Sequence, residues 1–168
     1  SSLFWILLNS LNKSNFFFFN LNSCYNSLKL LLVFIFIQII LGAFVSGLDA
    51  GRIYQTWPFM NGSYFPDDTS FKNFFSFNQA STVQFIHRNI AYVIFFITLY
   101  VGYKIYKKSD TKLYKIFLLF FSIIIIQIIL GIFVLVSGAN IYFASMHQIS
   151  SIFLTLIALK LYHRSIGT

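Results

Sequence analysis

Four apolar runs, at 28–47, 82–106, 113–137 and 141–162, constrain this chain more than anything else in it. Each is long enough to cross the hydrocarbon of a bilayer, which takes roughly 20 residues of helix. Backbone groups in lipid must be bonded within their own segment, so such runs are read as helices. The strict period-two alternation of a membrane barrel is absent. Composition points the same way: 58% of the 168 residues are apolar and 10% are charged, against about 25% charged in a soluble domain. That apolar surface exceeds what a small water-soluble core can bury. The expected fold is therefore all-α, a polytopic transmembrane four-helix bundle. Residues 3–8 add a further apolar scrap, too short to span.

The net charge of +8 does not indicate nucleic acid. The basic residues lie at the ends of the apolar runs, as topology signals do. Lys13, Lys29, Lys104, Lys107, Lys108, Lys112, Lys115, Lys160 and Arg164 fall on one face of a four-span protein. Arg52, Lys72 and Arg88 fall on the other, with Asp49, Asp67 and Asp68. The basic face is expected to be cytoplasmic, or matrix in a mitochondrion. The loop at 48–81 is then outside, and its Phe, Trp and Tyr content predicts that it folds over the helix ends. A single cysteine, Cys24, excludes an internal disulfide and a zinc cluster. The chain opens on Ser1-Ser2-Leu3-Phe4-Trp5 without a basic stretch, and this reads as the end of a preceding membrane helix rather than a cleavable signal.

The sequence repeats itself. Gln38-Ile39-Ile40-Leu41-Gly42 returns as Gln127-Ile128-Ile129-Leu130-Gly131, and the copies continue to Ser46-Gly47 and Ser137-Gly138. The first and third spans are thus alike, and each is followed by a span with a histidine near its outer end. A fainter echo links Ser1-Ser2-Leu3-Phe4 to Ser150-Ser151-Ile152-Phe153, just after His147.

Ionisable residues inside membrane helices are costly and usually functional. His163, beside Arg164 at the basic end, reads as an interfacial polar residue. His87 and His147 differ from it: each lies about six residues into its span from the outer side, roughly 9 Å deep. Two imidazoles at one depth, on helices running the same way, suit one metal held from opposite sides. Imidazole is a standard axial ligand of heme iron, whereas zinc usually takes three or four protein ligands. Small neighbours (Ala91, Ala144, Ser150, Ser151), with Gly42, Gly47, Gly131 and Gly138, would let a flat macrocycle approach. The competing explanation is small-residue packing with histidines bonded across helices. Arg88 suits either a heme propionate or snorkelling to the interface. Gln84, Gln127 and Gln148 are polar residues in apolar spans, and their roles are open.

Leu41-Gly42-Ala43-Phe44-Val45-Ser46-Gly47-Leu48-Asp49-Ala50-Gly51-Arg52, with Tyr54, Thr56-Trp57-Pro58 and Met60, resembles a helix-and-loop signature of heme A synthases of the proteobacterial and mitochondrial type. Val83-Gln84-Phe85-Ile86-His87-Arg88 and Met146-His147-Gln148 resemble two further motifs of that family. The resemblance implies one half, the carboxy-terminal four-helix half, of an eight-helix pseudo-symmetric protein. It implies heme A biosynthesis, with oxidation of the heme O ring methyl to a formyl group. His87 and His147 would be the iron ligands of a resident heme b, with Arg88 in the cofactor site. It also implies heme O as substrate, heme A as product for cytochrome c oxidase, and a bacterial or mitochondrial inner membrane with the heme near the periplasmic or intermembrane side. Expected partners are the missing amino-terminal half, heme O synthase or cytochrome oxidase assembly factors, and further copies of the chain in a homo-oligomer. The departure is that the amino-terminal half, where the family has an essential glutamate, is not present, and the chain contains no Glu. A membrane cytochrome b-type electron-transfer subunit and a cofactor-free bundle are the competing readings. The expected organisation is 1–27 as a helix end and connection, 28–164 as the heme-binding domain with its outer loop at 48–81, and 165–168 as a tail.

Overall fold

The computed structural model describes residues 2–17, 26–68 and 77–166; Cys24, Lys72 and the last two residues of the 165–168 tail lie outside them. Among the described residues the chain forms α1 (Ser2–Leu11), α2 (Asn26–Gly47), α3 (Ala80–Lys107), α4 (Thr111–Val136) and α5 (Ile141–Ile166), with a short 3-10 turn at Ala50–Arg52. The last four α-helices are long and apolar enough to cross a membrane, where the four apolar runs predicted spans. The main difference is at α5, which continues to Ile166 instead of ending at Tyr162. There Leu161, Tyr162, His163 and Ser165 are buried, so packing carries the helix beyond the apolar run.

Local chemistry sets the connections. The Asp110 carboxylate accepts from the backbone N–H of Lys112 at 3.1 Å and Leu113 at 2.9 Å. It thereby satisfies donors that the first turn of α4 would leave unpaired. Between α4 and α5 the chain reverses at Gly138 (φ 67°) and Ala139 (φ 61°). Ala139 N–H returns to the Val134 carbonyl at 2.8 Å, and glycine carries the left-handed position without a steric penalty.

The spans pack as two antiparallel pairs, α2 with α3 and α4 with α5, closed into a ring by α3 against α4 and α2 against α5. Among the described residues α3 does not pack on α5, nor α2 on α4, so these helices stand diagonally across the ring. The close-packed core fills the end that carries the lysines: Leu31 and Ile35 of α2, Val101 and Ile105 of α3, Phe120 of α4 and Leu159 of α5. There α3 and α4 approach at Gly102, where a Cβ would stand 2.4 Å from the Phe117 ring. The other end is different. From 125 to 153 only Leu135 is buried, and from 86 to 93 no residue is. The outer half is thus sparsely filled along α4, α5 and residues 86–93 of α3, with a run of buried residues at 81–85 beneath Tyr54 and Met60.

α1 lies against the basic end of α5. Trp5 meets His163 edge-on at 4.8 Å between ring centroids, and Asn9 Oδ1 is 2.8 Å from His163 Nε2. His163, read from the sequence as an interfacial polar residue, is 4% exposed. α1 covers it, and no local pattern in the sequence announces that contact.

Candidate functional site

Two matching clusters occupy the loosely filled outer half. Gln38 lies nine residues before the end of α2 at Gly47, and Gln127 nine before the end of α4 at Val136. Each reaches the histidine on the next helix. Gln38 Nε2 is 3.2 Å from His87 Nε2 and donates to the His87 carbonyl at 3.1 Å. Gln127 Nε2 is 3.3 Å from His147 Nε2 and donates to the His147 carbonyl at 3.0 Å. One turn further along, a glycine makes room for the ring. A Cβ at Gly42 would stand 3.4 Å from His87 Cε1, and one at Gly131 would stand 3.1 Å from His147 Cε1. Residues four apart share a helix face, so the repeated Gln-x-x-x-Gly presents a donor and a gap to one imidazole.

Both rings are left incomplete. His87 Nδ1 and His147 Nδ1 are buried with no hydrogen-bond partner. An unsatisfied buried polar atom costs about 1–3 kcal/mol, and here the same deficit occurs twice, on diagonal helices. Each glutamine contact engages Nε2 alone, so Nδ1 of each ring lies outside it. No cluster of three or more His, Cys, Asp or Glu able to hold a bare metal ion occurs among the described residues. A pair of single imidazoles is the donor set that an iron porphyrin needs, because the macrocycle supplies the other four ligands. The residues fit such a group in kind: two buried imidazoles on diagonal helices, in a bundle interior of the sort in which cofactors are held by facing helices. The glutamine amide N–H can only donate, so Nε2 accepts and Nδ1 carries the proton, and iron would take the Nε2 lone pair in place of the glutamine.

Arg88 and Gln84 act on the outer loop. Arg88 donates from Nη2 to the Tyr54 carbonyl at 2.9 Å and from Nη1 to the Thr56 carbonyl at 3.0 Å. Gln84 Nε2 donates to the same Tyr54 carbonyl at 3.0 Å. Arg88 Nε is buried without a partner. Neither reading of Arg88 from the sequence foresaw this, because the carbonyls come from residues more than thirty positions away. Tyr54, Met60 and Phe85 form a small buried cluster beneath the loop, and the Tyr54 hydroxyl donates to Asp67 and lies 3.2 Å from Asp68. Burial and the Asp67 carboxylate raise the Tyr54 phenol to about 12. The described residues 54–68 of the loop therefore pack against the outer end of α3.

The remaining candidates divide. Ser150 Oγ bonds Gln127 Oε1 and is 3.0 Å from the His147 carbonyl. Ser151 is spent on the Gln148 carbonyl at 2.6 Å, and Gln148 itself is exposed. A Cβ at Gly47 would meet nothing within 4 Å. Gln38 was not singled out among the polar residues of the spans, although the repeat, which aligns it with Gln127, carried the signal.

The family model of the COX15-CtaA cytochrome oxidase assembly proteins matches residues 1–159. A heme A synthase from Pelagibacter ubique is 45% identical over 130 residues, 74% of this chain and 38% of that protein. One from Wolbachia pipientis is 41% identical over 128 residues, covering 74% of this chain and 35% of its own length. A third, from Bartonella tribocorum, is 40% identical over 123 residues, or 70% and 34%. The chain spans little more than a third of the length of these relatives. No solved structure matches it. With four membrane-length helices and a family match over nearly its whole length, the chain belongs to the COX15-CtaA family of cytochrome oxidase assembly proteins.

Proposed function

We propose that this chain is the cofactor half of a heme A synthase, holding a heme b between His87 and His147. The observation that carries the reading is the pair of buried imidazoles on diagonal helices, each with an Nδ1 that has no hydrogen-bond partner. Bound heme iron supplies one-electron chemistry, while the protein supplies ligands, orientation and a low-dielectric surround. In this reading the glycines at 42 and 131 let the rings lie back against α2 and α4. The Arg88–Tyr54–Thr56 contacts hold the outer loop down over the site and limit access of water. The substrate would be heme O and the product heme A, its ring methyl oxidised to a formyl group. The reaction would require the amino-terminal half that the relatives have beyond the matched third of their length. The site would face the periplasm, or the intermembrane space of a mitochondrion.

The chain purified from heme-replete cells is expected to show a low-spin bis-histidine heme spectrum, with heme b as the extracted cofactor. The double variant His87→Ala/His147→Ala is expected to lose it. An unchanged spectrum in that variant overturns the reading. Heme A formation on co-expression with the amino-terminal half of a relative separates the synthase from an electron-transfer subunit, which would bind heme and form none.

A further inference from the structure

α5 has three faces, separable by spacing and burial, because residues three and four apart share a side of a helix. The first carries His147, Leu154, Ala158 and Leu161 and is turned into the bundle. The second carries Tyr142, Met146, Ile149 and Phe153, all exposed and apolar enough for lipid. The third runs between them through Gln148, Ile152, Thr155, Leu159 and His163. Its inner end is covered by α1: Trp5 meets Tyr162 at 5.7 Å and His163 at 4.8 Å between ring centroids. Its outer end is uncovered, with Ile152 60% exposed and Gln148 exposed. The hydroxyls on this side are spent within the helix, Ser151 on the Gln148 carbonyl at 2.6 Å and Thr155 on the Ser151 carbonyl at 2.8 Å. The Gln148 amide has no hydrogen-bond partner among the described residues. It lies seven residues after the start of α5 at Ile141, about 10 Å down the helix. At that depth a polar group facing hydrocarbon is costly unless another helix bonds it.

We propose that the Gln148, Ile152 and Thr155 side of α5 is the seat of the amino-terminal half, occupied by the outer part of the membrane helix whose inner end is α1. This rests on the two-half reading above and is independent of the histidine pair. The face continues an interface that α1 already makes. α1 has 10 residues and is about 15 Å long, half the roughly 30 Å of bilayer hydrocarbon. The chain leaves α1 towards α2 at the basic end, where Phe16 meets His163 at 5.3 Å between ring centroids. The remaining span of such a helix therefore falls on the outer side, where Ile152 and Gln148 are open. A polar side chain on it would meet the Gln148 amide. Gln148 directly follows His147, so one helix would hold the histidine on one face and the other half on the next.

The test co-expresses this chain, in a Cys24→Ser background, with the part of the Pelagibacter ubique heme A synthase that precedes its match to this chain. The two parts carry different tags, and a second copy of this chain carries a third. A benzophenone maleimide is attached at Ile152→Cys or at Phe153→Cys, the neighbouring residue on the lipid face, and the membranes are irradiated. Position 152 is expected to give an adduct with the amino-terminal part, and position 153 none. Gln148→Leu is expected to lower co-purification of that part by about 3–20-fold, the range of one hydrogen bond between membrane helices, and to leave the helical content of the chain unchanged. If Gln148→Leu does not accumulate, the two crosslinking positions decide the matter. Wild-type co-purification with adducts from 153 alone, from both positions equally, or from neither overturns this face and leaves the two-half reading standing. An adduct from 152 to a second copy of the chain does the same. So does co-purification unaffected by Gln148→Leu. A wild-type chain that retains none of the amino-terminal part overturns the two-half reading, and this proposal with it.

Discussion

The two halves of the outer site are built on one plan and secured by different means. Around His87 the α2–α3 pair is held from above. Arg88 and Gln84, next to the histidine and three residues before it, bond the carbonyls of the outer loop. Around His147 the corresponding residues are Gln148 and Ala144, and α4 passes to α5 through a short turn that provides no cover. The outer end of α5 stays open, with Tyr142 77% exposed. There the restraint comes from the side, through Ser150. A duplicated device thus keeps its contact to the imidazole in both copies, while its anchoring follows whatever neighbours each copy has.

The largest expected effect tests the loop side of that contrast. Arg88→Ala removes two hydrogen bonds from a charged donor, a change that costs about 1.5–3 kcal/mol. Gln148→Ala, at the equivalent place on α5, is expected to stay within about 0.5 kcal/mol. Limited proteolysis within 48–68, read against the Soret band, checks this. Loss of heme with an intact loop would assign Arg88 to a propionate instead.

Next come the two glycines. Replacement by alanine gains about 1 kcal/mol of helix propensity and incurs about 1–3 kcal/mol where the methyl forces a neighbour to move. At Gly42 the new Cβ would be in ordinary contact with His87, whereas at Gly131 it would stand 3.1 Å from His147. Gly131→Ala is therefore expected to be the more destabilising and to disturb the heme spectrum, with Gly42→Ala close to neutral. Equal melting temperatures and spectra in detergent would break the distinction.

The smallest effect is one of pH. The Tyr54 phenol is raised from 10.0 to about 12 by burial and by its bond to Asp67. Its folded pKa exceeds its unfolded one, so its contribution to loop stability is whole below the unfolded value and fades as pH climbs through the folded one. Tyr54 is bonded to Arg88 and Gln84 on the His87 side, so alkaline loosening should be greatest there. The tyrosinate absorbance that Tyr54→Phe removes should appear near pH 12, and its appearance near 10 would discard the latch.

Much of this was legible in advance because lipid leaves few options. A run such as 113–137 has one way to satisfy its backbone, so the spans and their positions followed from apolar length. The repeat exposed the kinship of α2 and α4, and the depth of His87 and His147 followed from counting residues. What stayed hidden depended on partners remote in the chain. Arg88 reads equally well as a propionate ligand or an interfacial cation until the Tyr54 and Thr56 carbonyls are seen against it. His163 reads as a boundary residue until α1 is laid over it, some 150 positions away.

By itself the amino-acid sequence determined the solvent of this protein, its four spans and the helices that carry the two histidines, because hydrophobic length and residue counting are local quantities. Only the tertiary structure decided which helices pair and which stand diagonally. It also decided that each glutamine grips the histidine of the following helix, and that one grip is locked by a hydroxyl and the other is not. Those outcomes depend on side chains from separate helices meeting within about 3 Å, the length scale of a hydrogen bond. One-dimensional periodicity does not record that distance.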